Sequence, residues 1–149
     1  MVEADFKEYS DKKITFFYQK TLPFENLQGK SIDWIANIVT TFGKELSSLN
    51  YILCTDEQLH KINLKHLKHD NYTDIITFDY SEDEETIESD IYISLDRIKE
   101  NADALGKTFD DELHRVMIHG VLHLIGYNDK AAKEQKEMRE KENTCLSLR

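Results

Sequence analysis

Apolar positions along this chain follow two rhythms: short β-branched or aromatic runs, and longer stretches repeating every three to four residues. Ile14–Tyr18, Leu49–Cys54, Asp74–Phe78 and Thr86–Ser94 follow the first and predict strands. In the last of these, Ile91 and Ile93 share one face while Asp90 and Tyr92 share the other. Ile35, Ile38, Val39 and Phe42 follow the second rhythm, with Ser31 as a predicted cap and Gly43 as a stop. Thr55 and Gln58 have capping-box spacing and open a helix with Leu59, Ile62 and His66 on one side. A short helix is predicted over about 95–104, before Gly106, and a mixed-charge helix over about 130–146 closes the chain.

The segment from Asp110 to Ile125 stands apart. Leu113, Val116, Met117, Ile118, Val121, Leu122, Leu124 and Ile125 make it apolar on nearly every side. Such a helix belongs in the centre of a domain. Thr108 and Asp111 supply its start, and Gly126 its end. Strands and helices interleave, but regular β-α-β units are too few for a long doubly wound sheet. The expected fold is α+β: one small mixed sheet of about four strands, a buried central helix, and flanking helices. No Ser/Gly/Pro-rich linker divides residues 1–149, so a single domain is expected.

Composition narrows the class. Hydrophobic residues make up 40% and charged residues 32%, which excludes collagen, low-complexity disorder and a disulfide scaffold. No apolar run reaches the roughly 18 residues of a membrane span. The N-terminal MVEADFKEYSDKK mixes charge signs and lacks an apolar stretch, which predicts no secretory signal and a cytoplasmic location. Cys54 and Cys145 form no metal-binding pair and are expected to be reduced, with Cys54 a small buried hydrophobe. The net charge of −10 argues against a surface that grips nucleic acid everywhere. The charge is uneven, however. Residues 82–85 are all acidic and predict a solvated loop, whereas His60–His69 carries three lysines, three histidines and no acid. Lys61, Lys65 and Lys68, spaced four and three apart, form a candidate phosphate-binding face; a solvated helix face is the competing reading.

Candidate chemistry concentrates at the end of the apolar helix. His119 and His123, four residues apart, project from one helix face. Gly126 breaks the helix, and Asp129 can swing back as a third ligand. Two imidazoles and a carboxylate form a zinc-type donor set that leaves a fourth position for water. Two imidazoles on so apolar a helix need compensation, which a metal supplies; hydrogen-bonded core histidines are the competing reading. His114, five residues before His119, is on another face and reads as a surface residue or one behind the ligands; it, Asn128 and a residue from the 60–69 segment are the alternatives to Asp129. A metalloprotease would need Glu directly after the first histidine, and this chain has Gly120. Met138 falls inside a predicted helix rather than in a Met-turn.

The segment His119-Gly120-Val121-Leu122-His123-Leu124-Ile125-Gly126-Tyr127 resembles the signature of the YbeY family. Ile62-Asn63, then Tyr72-Thr73-Asp74-Ile75-Ile76-Thr77-Phe78, and Ser89-Asp90-Ile91-Tyr92-Ile93-Ser94 are similar to two further family segments, in the same order. The resemblance implies a bacterial metal-dependent endoribonuclease acting in ribosomal RNA maturation, at the 3′ end of 16S rRNA. It implies one divalent ion, expected to be Zn²⁺, a metal-bound water as nucleophile, and ribosomal RNA and the small ribosomal subunit as partners. The family's third ligand is usually a histidine in an Asp-His pair; here the pair reads Asn128-Asp129. The family's usual arginine, seven positions before the Asp of Thr-Asp, is replaced by Leu67. A ribosome-associated binding factor with a structural metal, and a metal-dependent hydrolase of another substrate, are the alternative functions.

Overall fold

The β-branched run at Ile14–Gln19 is paired on both sides in the computed structural model, which describes residues 6–19, 25–67 and 73–149, with side chains for 10–19, 29–66 and 73–149. The elements run β1 (Phe6–Asp11), β2 (Ile14–Gln19), α1 (Glu25–Thr41), β3 (Glu45–Cys54), α2 (Asp56–Ile62), β4 (Ile75–Asp79), β5 (Thr86–Ser94), α3 (Leu95–Leu105), α4 (Phe109–Ile125) and α5 (Ala132–Ser147). One mixed sheet has the order β1-β2-β3-β5-β4. β2, β3 and β5 are parallel neighbours, and the two outer strands are antiparallel to theirs. The expected α+β class holds, with one strand more than the pattern predicts. That strand joins β2 through Lys12 and Lys13, both at positive φ (50° and 67°). Such hairpin turns are normally marked by Asn-Gly or Asp-Gly, and two lysines carry no such mark.

Alternation assigns the two sheet faces. Ile14, Phe16, Leu49, Tyr51, Leu53, Ile87, Ile91 and Ile93 belong to the main core with residues of α1, α3, α4 and α5. The opposite face carries a smaller cluster in which Leu59 of α2 covers Cys54 and Ile76, flanked by Ile62, Phe78 and Tyr92. Cys54 is thus the buried hydrophobe its neighbours predicted; burial, aided by Asp96 and Asp56, pushes its thiol up to about 12, so it is unreactive. Both cysteines are free.

Two boundaries depart from the sequence pattern. α1 begins at Glu25, so Ser31 is not its cap but lies inside it, 2% exposed. Its hydroxyl lies 2.9 Å from His114 Nε2. The hydrophobic stripe starts near Ser31, which made it resemble a cap; the first turns precede that stripe. β3 extends back to Glu45, through alternating exposed positions that the apolar run at 49–54 does not signal. The predicted caps at Thr55 and Thr108 are present, accepting from the backbone N–H of Gln58 and Asp111. The acidic residues 82–85 are exposed except for their flanks, as expected of a loop.

α4 lies directly on the sheet. Leu113, Met117, Ile118, Val121 and Leu122 are at most 1% exposed. Tyr51 donates a hydrogen bond to the Met117 carbonyl (3.0 Å). The closest approach is at Gly120, where a Cβ would stand 3.0 Å from both Ile75 Cδ1 and Ile91 Cδ1. Only glycine lets the helix come this near β4 and β5. No described helix is long and apolar enough to cross a membrane.

Candidate metal centre

The last two turns of α4 carry His119 and His123, and helical spacing brings their rings together edge to face, with centroids 4.6 Å apart. Gly126, at φ 121°, ends the helix in a conformation that side chains disfavour. The chain then turns, and Asp129 comes back against the same face. Three donor atoms meet there. His119 Nε2 is 3.0 Å from His123 Nε2 and 3.3 Å from Asp129 Oδ2, and His123 Nε2 is 3.4 Å from the same oxygen. His119, His123 and Asp129 form a group able to hold a metal ion, as the sequence spacing predicts.

The separations fit a small divalent ion. Ligand bonds of about 2.1 Å at tetrahedral angles put neighbouring donors about 3.4 Å apart. The chemistry of the donors agrees. His119 Nδ1 lies 2.7 Å from Glu142 Oε2, so that nitrogen carries the proton and donates it. His119 Nε2 is then left with a lone pair facing another imidazole nitrogen and a carboxylate oxygen. Lone pairs converging at this distance repel one another and need a positive centre among them, and a cation coordinated by all three, or a proton on one nitrogen, supplies it. The rings and the carboxylate are only partly exposed (22%, 32% and 37%), so water relieves little of that repulsion.

Glu142 of α5 is the group that sequence reading missed. Its side chain is 7% exposed and sits between His119 Nδ1 and Arg115 Nη1, which donates to Oε1 at 2.9 Å. Arg139 is 3.8 Å away. Burial works against ionising Glu142, but the hydrogen bonds from His119 and Arg115 outweigh it and hold its carboxyl below the ordinary carboxylate range. Burial likewise opposes charging His119, and Glu142, Asp129 and Asp74 outweigh it, so its pKa stands above the ordinary value. A signal for Glu142 existed. Met138, Glu142 and Cys145 are the buried residues of α5, at i, i+4 and i+7; a carboxylate on an apolar stripe needs a partner. Asp74, next to the start of β4, is half-buried and lies within the field of His119. Desolvation raises its pKa, and Asn101 Nδ2 approaches its carboxylate at 3.4 Å.

The position after His119 cannot serve as a protease base. A side chain at residue 120 would point into Ile75, Ile91 and Thr77 of the sheet, away from the donors. Met138 is buried within α5 and forms no turn beneath the site. What remains is the YbeY-like arrangement of motif and donors, and the profile described as Endoribonuclease YbeY matches residues 15–148. The chain belongs to the YbeY family. The Bacteroides thetaiotaomicron protein named Endoribonuclease YbeY is 48% identical over 120 residues, spanning 80% of this chain and 87% of that relative. One of the same name from Cytophaga hutchinsonii is 48% identical over 135 residues, 90% of this chain and 94% of the relative. A Thermotoga maritima protein solved in solution aligns with a TM-score of 0.65 at 29% identity, covering 86% of this chain and 84% of that one.

Other candidate residues of this YbeY-family chain lie elsewhere. Lys61, on α2, and Lys65, in the π-helical turn Asn63–Leu67 that follows, are exposed. Lys61 pairs loosely with Glu57 at 3.7 Å. α2 packs on the sheet face opposite α4, so the two lysines and the three donors are set on different layers. Lys68 lies outside the described residues, and so does the side chain of Leu67. His66 stacks edge-on against Phe78, and Phe78 against Tyr92. His114 is neither a surface residue nor a support of the ligands. It is 6% exposed, with Nδ1 2.8 Å from the Asp110 carbonyl and Nε2 on Ser31, and Trp34 packs edge-on to its ring. It therefore ties α1 to α4, beside a separate cleft of about 740 Å³ that Trp34 and Arg149 also line. Asn128 is exposed, and among the described residues the group of His and Asp side chains with metal-holding geometry does not include His114.

Proposed function

We propose that this protein is a metal-dependent endoribonuclease that cleaves single-stranded RNA in ribosomal RNA maturation, at the 3′ end of 16S rRNA, in the cytoplasm. The whole of residues 1–149 acts as one domain, with the small ribosomal subunit as its setting. The reading rests on one observation above the others. Three potential ligand atoms, His119 Nε2, His123 Nε2 and Asp129 Oδ2, converge within 3.0–3.4 Å on the family signature. Family membership supports the activity, since the relatives carry the name Endoribonuclease.

The ion assigned to His119, His123 and Asp129 is Zn²⁺, one per chain. A divalent ion in such a site polarises a phosphoryl oxygen and lowers the pKa of coordinated water. The protein's own residues do the rest. α4 fixes two donors at helical spacing, Gly126 brings the third round, and Glu142 holds the His119 ring with Nε2 towards the site. Lys61, Lys65 and Lys68 are assigned to the RNA phosphates. They lie in a segment without acids, and the negative remainder of the surface steers the polyanion towards them.

The test is cleavage of single-stranded RNA and of casein by the same preparation, with wild type and Asp129→Ala. The expected result is RNA cleavage by wild type, its loss in Asp129→Ala, and intact casein throughout. Casein hydrolysis with RNA left whole would overturn the reading in favour of another hydrolase. Inertness towards both by metal-loaded protein would leave a binding factor with a structural metal.

A further inference from the structure

We infer that Glu142 is a positioning residue of the metal centre, and that it makes the C-terminal helix part of that centre. The inference rests on the metal-site reading above and deepens it. A neutral imidazole has two ring nitrogens, and nothing in helical spacing decides which carries the proton. For His119 the choice is made from α5. Glu142 Oε2 is 2.7 Å from Nδ1 and accepts its proton, which leaves Nε2 as the lone-pair nitrogen, the atom 3.0 Å from His123 Nε2 and 3.3 Å from Asp129 Oδ2. Rotating the ring to present Nδ1 instead would break this bond and leave Oε2 of a carboxylate that is 7% exposed without its hydrogen bond from the ring.

The carboxylate is itself fixed. Its other oxygen takes the Arg115 guanidinium at 2.9 Å, and Arg115 stands one helical turn before His119 on α4. The guanidinium also reaches Asn143 Oδ1 at 2.8 Å, so one arginine orients two neighbouring residues of α5. A carboxylate needed only to neutralise Arg115 would not have to spend its second oxygen on the ring. With one oxygen on each, Glu142 locks the imidazole orientation and places a negative charge behind it, which strengthens the nitrogen opposite as a donor. Trp34 Nε1 donates to the Cys145 carbonyl at 2.8 Å, pinning the same stretch of α5 to α1. The support for the ligand therefore comes from a helix tied to both α4 and α1 and not from a free helix end.

The experiment is a double-mutant cycle read as Zn²⁺ affinity, by competition with a chromophoric chelator. The proteins are wild type, Glu142→Ala, His119→Ala and the double variant. Glu142→Ala is expected to lose about 10- to 100-fold in affinity. On the His119→Ala background the same change should cost nothing further, because its effect runs through that ring. A second readout uses no metal. Long-range ¹H–¹⁵N spectra at alkaline pH should show His119 as a single Nδ1–H tautomer in wild type and as a tautomer mixture in Glu142→Ala. If Glu142→Ala does not fold, Glu142→Gln takes its place: its one acceptor oxygen faces two donors, Arg115 and His119 Nδ1, so the single tautomer should give way to a mixture and affinity should fall. A folded Glu142→Ala, or Glu142→Gln in its place, with wild-type affinity would overturn the inference, as would an equal loss on both backgrounds. Wild type that binds no Zn²⁺ yet keeps the single tautomer would instead overturn the metal-site reading beneath it.

Discussion

Gly120→Ala adds one methyl group at the point where α4 lies closest to the sheet. In an exposed helix interior that change would stabilise by about 1 kcal/mol, because alanine loses less backbone freedom on folding. Here the new carbon would stand 3.0 Å from Ile75 Cδ1, 3.0 Å from Ile91 Cδ1 and 3.4 Å from Thr77 Oγ1. Carbon atoms pack best at about 3.5–4.0 Å, so two contacts are short by at least about 0.5 Å. Ile75 is half-buried on the edge strand β4 and can turn aside. Ile91 is 0% exposed on β5, with β3 on one side and β4 on the other, and cannot. Overpacking of this kind costs about 1–3 kcal/mol. The strain outweighs the helix gain and leaves the protein about 1 kcal/mol less stable, a fall in Tm of about 2–4 °C for a chain of this size. Lifting α4 also moves both histidines relative to α5, whose Cys145 carbonyl is held by Trp34 of α1, so metal affinity should fall as well. Urea denaturation of metal-free protein followed by circular dichroism measures the first effect, and chelator competition the second. A Gly120→Ala protein more stable than wild type by the full helix gain would refute the close-contact argument.

Three further outcomes follow from the same geometry. In metal-free protein, the pair between His119, held above its ordinary 6.5, and Glu142, held below its ordinary 4.5, stabilises most between those two values. The His119 contribution fades as pH rises through its folded pKa and that of Glu142 as pH falls through its own; denaturation midpoints across pH check this, and metal-free protein that gains stability from pH 6.5 upward would contradict it. Asp129→His should keep metal binding while narrowing the choice of metal towards zinc, since it replaces an oxygen donor with nitrogen; competition between Zn²⁺ and Mn²⁺ reads the change, and an unaltered preference counts against Asp129 as a ligand. Neutralising Lys61, Lys65 and Lys68 together should weaken RNA binding and reduce the slope of log affinity against log salt by about 2, the value for three single-strand phosphate contacts; an unchanged slope makes them a solvated face.

Local chemistry made much of this protein legible in its sequence. The i, i+4 histidines, the glycine stop and the aspartate three residues on are all encoded within eleven positions, and the structure brings these three side chains together. The apolar girth of α4 announced its central place, and nine of its residues between Glu112 and Leu122 are buried. What stayed hidden depends on distant parts of the chain. Glu142 is 23 residues from His119 and reads as one charge among many on α5 until that helix is docked. Ser31 looked like a cap because its partner, His114, is 83 residues away. β1 went unread because the turn that creates it uses two lysines at positive φ. The sheet contact at residue 120 explains a glycine that the sequence could only note as not being glutamate.

The central claim is that His119, His123 and Asp129 hold one divalent ion on which RNA cleavage depends. The most direct test measures metal content and single-stranded RNA cleavage on the same preparations of wild type, His119→Ala and His123→Ala, before chelation, after it, and after Zn²⁺ is restored. The account predicts close to one metal per wild-type chain, cleavage that disappears with the chelator and returns with Zn²⁺, and, in the two variants as purified, metal far below one per chain and no cleavage. Full metal retention in both variants, or wild-type cleavage that persists after the metal is gone, would contradict it.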